Sequence, residues 1–212
     1  MAQRPFDAGE RAQFWERVHT GKEPVGVSWW QAVPGLSLDL VERSGIAAAD
    51  PVVDVGGGWS TLVDHLLERG FGDVTVVDLS ATALATVRAR LGDAGAGVTF
   101  AQADVLTLDL GRTFALWHDR AVFHFLTEPA QRDAYRAALR RSLRPDGQVV
   151  VATFGAEGPT ACSGLPVVRY SHAQLAEEFA DDFDVVAESG EDHSTPWGAT
   201  QQFTALLLRR RG

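Results

Sequence analysis

The rhythm of apolar and polar positions changes repeatedly along the chain. Residues 51–55 (PVVDV), 73–80 (DVTVVDLS), 97–104 (GVTFAQAD), 113–119 (TFALWHD) and 148–154 (QVVVATF) are short runs rich in β-branched and aromatic residues. They show little period-two alternation, the pattern of strands covered on both faces. Between them the period lengthens to that of a helix. Over 60–70, Leu62, Val63, Leu66 and Leu67 share one face, and Gly70 suits a C-terminal cap. Ser80 is placed to cap a helix over 81–92. A helix over 128–143 has Pro129 in its first turn and Tyr135, Ala138, Leu139 and Ser142 on one side. The turn RPDG (144–147) then feeds the fifth strand. Ser171 opens a short helix over 171–180, and 183–189 and 201–210 read as two closing strands.

Strand–helix alternation of this kind predicts a single α/β domain over residues 1–212, with a mostly parallel, Rossmann-like sheet of seven strands and helices on both faces. No helical pattern separates the last two strands, so 190–200 is expected to be a long hairpin and the last strand antiparallel. Residues 1–50 differ from the core over 51–212. They hold Trp15, Trp29 and Trp30, three of the six tryptophans, and are expected to form a helical, aromatic-rich lid.

Composition narrows the partners. The net charge is −9, from 28 acidic and 19 basic residues, against nucleic acid as a partner because phosphate contacts need lysine and arginine. No apolar run approaches the ~20 residues that span a bilayer. The N-terminus lacks a signal-peptide h-region, so no membrane partner and a cytoplasmic location are expected. Cys162 is the only cysteine, which leaves no disulfide framework and no cysteine-based metal site. Nothing in the pattern sets the oligomeric state.

The chemistry gathers where strands end. Gly56, Gly57 and Gly58 follow the first strand directly and let the backbone approach a bound nucleoside. A nicotinamide fingerprint, G-x-G-x-x-G, places its third glycine where Thr61 stands. Asp54 lies just before the glycines, where a carboxylate repels a pyrophosphate but favours a cationic ligand. Asp78 ends the second strand and can accept from both ribose hydroxyls; Asp104 ends the third and can accept from an adenine amino group; Asp119 ends the fourth. Any one of them is equally well a turn former. Four at one sheet edge, where open α/β sheets bind ligands, point to a site.

Here the chain resembles the class I S-adenosylmethionine-dependent methyltransferases, over roughly residues 50–209. DVGGGWS looks like their first motif, VTVVDLS the acidic second, AQADV the adenine-contacting third and LWHDRAVFHFL the fourth, with LRPDGQVVVATF resembling the turn and strand that follow. VSWWQAVPGLSLDLV, HDRAVFHFLTEP and CSGLPVVRYS look like a bacterial branch of small methyltransferases, similar in the fourth motif to thiopurine- and thiol-methylating enzymes and to some protein-lysine methyltransferases. The resemblance implies S-adenosylmethionine as cofactor. It implies that Asp54, Gly56, Gly57 and Gly58 line the methionine end, Asp78 and Leu79 hold ribose and flank adenine, and Asp104 and Val105 contact the base. His118 and Asp119 would lie beside the methyl-bearing sulfur.

Acceptor contacts are expected from Asp119, Arg120, His124 and Tyr170, beside His118. Arg120 suits either a clamp on an anionic acceptor or a partner of Asp119 or Glu128. His124 sits among aromatics and suits either a proton acceptor or a hydrogen-bonded core residue. Three functions stay open: methyl transfer to a small S-, N- or O-nucleophile, methylation of a protein lysine, and a nicotinamide-dependent oxidoreductase or non-catalytic nucleoside-binding module on a similar fold. The first predicts a closed apolar pocket and the second an open acidic groove.

Overall fold

The computed structural model describes residues 6–212; residues 1–5 of the expected lid lie outside the described residues. Seven strands form one sheet: β1 (Val52–Val55), β2 (Val74–Asp78), β3 (Thr99–Gln102), β4 (Phe114–Arg120), β5 (Leu143–Phe154), β6 (Phe183–Ser194) and β7 (Thr200–Arg210). Their spatial order is β3-β2-β1-β4-β5-β7-β6. The first five run parallel; β7 is antiparallel to both β5 and β6, as the missing crossover helix predicts. The order reverses between β1 and β4, and ligands bind at the carboxyl ends of the strands flanking such a switch point.

Alternate residues of the strands feed two cores. Val52, Val74, Val76, Leu116, Val150, Phe154 and Phe203 pack with α2 (Gly35–Ser44), α3 (Leu62–Glu68) and α4 (Ala81–Leu91). Val53, Val55, Val77, Trp117, Val149, Val151 and Leu206 pack with α5 (Pro129–Ser142) and α6 (His172–Phe179). This two-sided burial is why the strands read as continuous apolar runs. Ser80 caps α4 as expected, its Oγ accepting from the Ala83 amide at 3.1 Å.

Three boundaries depart from the sequence pattern. β3 is shorter than 97–104: its ladder to β2 pairs Thr99 through Gln102 and ends with the Ala103 amide on the Asp78 carbonyl at 3.1 Å. β5 starts at Leu143: that residue pairs with Phe114, the ladder resumes at Gln148, and the expected 144–147 turn is the irregularity between. β6 runs on to Ser194, so the hairpin loop is only 195–199, closed by the Thr195 amide on the Ala199 carbonyl.

The N-terminal segment lies across the carboxyl ends of the strands. α1 (Ala8–Thr20) begins at a reciprocal cap between Asp7 and Glu10. Glu16 anchors its middle at the start of α4, accepting from Ser80 Oγ at 2.7 Å and from Thr82 Oγ1. Arg11 Nη2 reaches Asp104 Oδ2 at 2.6 Å, across the end of β3.

Candidate active site

A cavity of about 150 Å³ opens at the switch point. Its floor is made by the ends of β1, β2 and β4, and its roof by α1 and the loop carrying Trp29 and Trp30.

The period of two decides which strand-end residues reach it. Asp54 lies opposite His118 in the β1–β4 register, and both point to the α2 side. His118 Nδ1 donates to Asp54 Oδ1 at 2.7 Å, and its Nε2 lies 2.8 Å from Ser37 Oγ on α2. Asp54 is 2% exposed and its other oxygen, Oδ2, has no hydrogen-bond partner. A buried ionised oxygen left without a donor is costly, so this atom marks where a cationic or N–H-bearing ligand group fits.

Asp78 accepts from the Ser80 amide at 2.8 Å and the Gly58 amide at 3.0 Å, one bond on each oxygen. A carboxylate has about four acceptor sites, so two remain. Burial pushes its pKa up, and the facing His19 pulls it back. His19 itself is held down by burial, with its Nδ1 donating to the Trp15 carbonyl at 2.9 Å and its ring edge-on to Trp59 at 4.6 Å. Leu79, Asp104 and Val105 complete the β2–β3 side of the cavity.

The glycines act differently from one another. Gly56 lines the cavity at φ +66°, and a Cβ there would stand 2.1 Å from Val122 Cγ2. Gly57 and Gly58 lie behind it, outside the lining. Cβ atoms on them would meet Asp54 Oδ2 at 2.5 Å and Asp78 Oδ2 at 2.6 Å. Their small size lets the loop close onto the two carboxylates.

Three expected acceptor contacts are corrected. Asp119 has the opposite parity to His118 and points toward α5, fully buried. It accepts from Tyr135 Oη at 2.7 Å, the Val122 amide at 2.8 Å and the Phe123 amide at 3.1 Å. Burial raises its pKa to about 6. Its role is to hold the turn after β4, where Ala121 sits at φ +72°. His124 is buried beneath the same turn, with Nδ1 accepting from the Phe154 amide at 3.3 Å. Burial first, then Arg120, lowers its pKa to about 3, so it stays neutral and outside the cavity. Tyr170 packs against Phe123 on the α5 side, 5.8 Å between ring centroids, away from the cavity.

Arg120 does line the cavity, and neither Asp119 nor Glu128 pairs with it. Nη1 donates to the Trp29 carbonyl at 3.1 Å, and the guanidinium stacks 4.3 Å above the Phe203 ring. Cys162 also lines the cavity, where burial pushes its thiol up to about 11.

Contributors from α1 were not singled out by motif. Arg11, Trp15 and His19 recur every fourth residue, so one helical stripe faces the cavity. That spacing was the available signal. Gln31 joins the lining from a loop and Phe125 from the single 3-10 turn Phe123–Phe125, where no periodicity identifies them.

Comparison with known proteins agrees with this geometry. Residues 52–147 match the family model described as a methyltransferase domain. No curated protein matches the chain in sequence. The fold is shared with the Burkholderia thailandensis 1,6-didemethyltoxoflavin-N1-methyltransferase, a structure with bound 1,6-didemethyltoxoflavin and S-adenosylhomocysteine (TM-score 0.74, 23% identity, covering 100% of this chain and 94% of that one). It is shared also with a protein from work on converting a disulfide bond into a thioacetal group during echinomycin biosynthesis (TM-score 0.74, 22% identity, 94% and 93% covered). A third likeness is to the glycopeptide N-methyltransferase MtfA (TM-score 0.67, 19% identity, 83% and 94% covered). The match over residues 52–147 and the strand order agree with the resemblance to the class I S-adenosylmethionine-dependent methyltransferases, whose fold this chain shares. No helix among the described residues is long and apolar enough to cross a membrane.

Proposed function

We propose that the protein transfers a methyl group to a small aromatic molecule held between the strand ends and the tryptophan-bearing roof, within one domain whose N-terminal segment, over the described residues 6–50, serves as its lid. The observation that carries this reading is the division of one cavity into two halves. The β1–β2 half presents Asp54 and Asp78 with unused acceptor capacity. The other half presents Trp29, Trp30 and Phe125.

S-adenosylmethionine supplies an electrophilic methyl on a sulfonium. Asp54 Oδ2 suits its ammonium, Asp78 its ribose hydroxyls, and Leu79 and Val105 its adenine. Gly56 gives the chain room for close approach, while Gly57 and Gly58 seat the loop on the two carboxylates. Asp104 accepts from Arg11 and from the Leu106 amide, so its contribution to the base runs through the strap from α1. His118 fixes the orientation of Asp54.

Acceptor activation is not assigned to a protein base. His118 has both nitrogens engaged, the Cys162 thiol stays protonated, and His124 and Tyr170 lie elsewhere. Alignment of two reactants is worth about 7–11 kcal/mol, against ~10²–10⁴-fold for a general base. The walled cavity therefore suits an acceptor that already carries a nucleophilic S, N or O lone pair. The aromatic roof favours a small molecule over a protein lysine, which would need an open groove. The 1,6-didemethyltoxoflavin seen in one structural neighbour is an acceptor of that size.

The test is a panel of aryl thiols, heteroaromatic amines and phenols, with a basic protein alongside, scored by S-adenosylhomocysteine release. Turnover of small acceptors alone is expected. Turnover of the basic protein alone would overturn the reading.

A further inference from the structure

In the acceptor half of the cavity one cation, Arg120, stands beside aromatic rings without a direct ion pair among the described residues. Arg120 uses a single nitrogen, Nη1, on the Trp29 carbonyl. Nε and Nη2, the two nitrogens forming the edge that grips a carboxylate, are buried without any partner. Among the described residues no carboxylate lies within ion-pair distance of the guanidinium. The acidic group that acts on it electrostatically is Glu191, whose Oε1 accepts from the Gln31 amide and whose Oε2 is buried without a hydrogen-bond partner, outside ion-pair distance of the guanidinium. Stacking on Phe203 fixes the plane of the fork without satisfying its donors.

Unmet donors on a buried charge cost stability in the free protein and are relieved when an anion arrives. Resting on the methyltransferase reading, we infer that Arg120 selects a planar aromatic acceptor bearing an anionic oxygen, a carboxylate or an equivalent oxyanion. The rings of Trp29, Trp30 and Phe125 supply the apolar contact, and Arg120 supplies the charge. The carboxylate-rich half of the cavity repels such a group, so the same charges also orient the acceptor with its anion away from Asp54 and Asp78.

The experiment compares 2-naphthoate with its neutral isostere 2-naphthamide, titrated calorimetrically into the protein saturated with S-adenosylhomocysteine. Naphthoate is expected to bind at least about tenfold more tightly, the effect of one charge-assisted pair. Arg120→Met is expected to abolish that preference while S-adenosylhomocysteine affinity stays within about threefold. Arg120→Lys, a point charge without the fork, should keep only part of it. Naphthoate binding no tighter than naphthamide, or a preference that survives Arg120→Met, overturns the inference. If Arg120→Met does not fold, the wild-type comparison and Arg120→Lys decide. Failure of S-adenosylhomocysteine itself to bind would instead overturn the underlying reading, so the two failures are told apart.

Discussion

Asp54→Asn separates a ligand-binding carboxylate from a structural one. The amide keeps the side chain's size and still accepts from His118 Nδ1, the bond that measures 2.7 Å in the wild type. What it removes is the charge on Oδ2, the buried oxygen without a partner. In the free protein that charge costs stability, so the apo variant is expected to be as stable as the wild type or up to about 1 kcal/mol more so. Binding moves the other way. A hydrogen bond to a charged group contributes about 1.5–3 kcal/mol, and each 1.4 kcal/mol is tenfold, so S-adenosylhomocysteine affinity should fall by roughly 10- to 100-fold. Calorimetry gives the affinity and urea unfolding of the apo protein gives the stability. S-adenosylhomocysteine keeps the ammonium and lacks the sulfonium charge, so equal losses for it and for S-adenosylmethionine place Asp54 on the ammonium. A variant that loses more than about 2 kcal/mol of apo stability while binding normally would refute the reasoning, because the carboxylate would then serve the fold.

Three further perturbations test other parts of the structure. Gly56→Ala meets both the positive φ and the Val122 methyl, and is expected to weaken S-adenosylhomocysteine binding at least tenfold; adding Val122→Ala removes the clash and should recover part of the loss, whereas no recovery in the double variant would mean that the backbone angle alone matters. Arg11→Gln cuts the strap to Asp104 and is expected to speed cofactor release several-fold in stopped-flow measurements; an unchanged off-rate would remove α1 from the account of closure. The third concerns pH. Folded Asp119, at about 6 against 3.8, holds a proton that the unfolded chain has shed, so its contribution to stability falls as pH rises through that window. Folded His124, at about 3 against 6.5, is neutral where the unfolded chain is protonated, so its contribution rises with pH. The two slopes oppose each other between about pH 4 and 6. Asp119→Asn should therefore gain stability with pH about 1.4 kcal/mol per unit more steeply than the wild type there. Parallel profiles would contradict the raised pKa of folded Asp119.

Much of the cavity wall built from β1 to β3 was legible because glycines and aspartates sit at fixed distances from strand ends. Asp54, Gly56, Asp78, Leu79, Asp104 and Val105 all reach the cavity. The acceptor half was harder to read. β4 is buried on both faces, so its sequence carries no polar–apolar alternation to tell the cavity side from the α5 side. His118 and Asp119 are therefore equivalent on paper, although neighbours on a strand point apart. His124 and Tyr170 lie outside the regular strands, in a turn and a loop where no period fixes direction. The roof from Arg11, Trp15 and His19 depended on tertiary docking of α1, which composition alone announced only as a cluster of tryptophans.

The central claim is tested most directly by titrating S-adenosylhomocysteine and NADH separately into wild-type protein and Asp78→Ala. One S-adenosylhomocysteine per chain is expected, with affinity falling more than about tenfold in the variant and no NADH binding to either. Saturable NADH binding without S-adenosylhomocysteine binding, or equal affinity in the variant, would contradict the account.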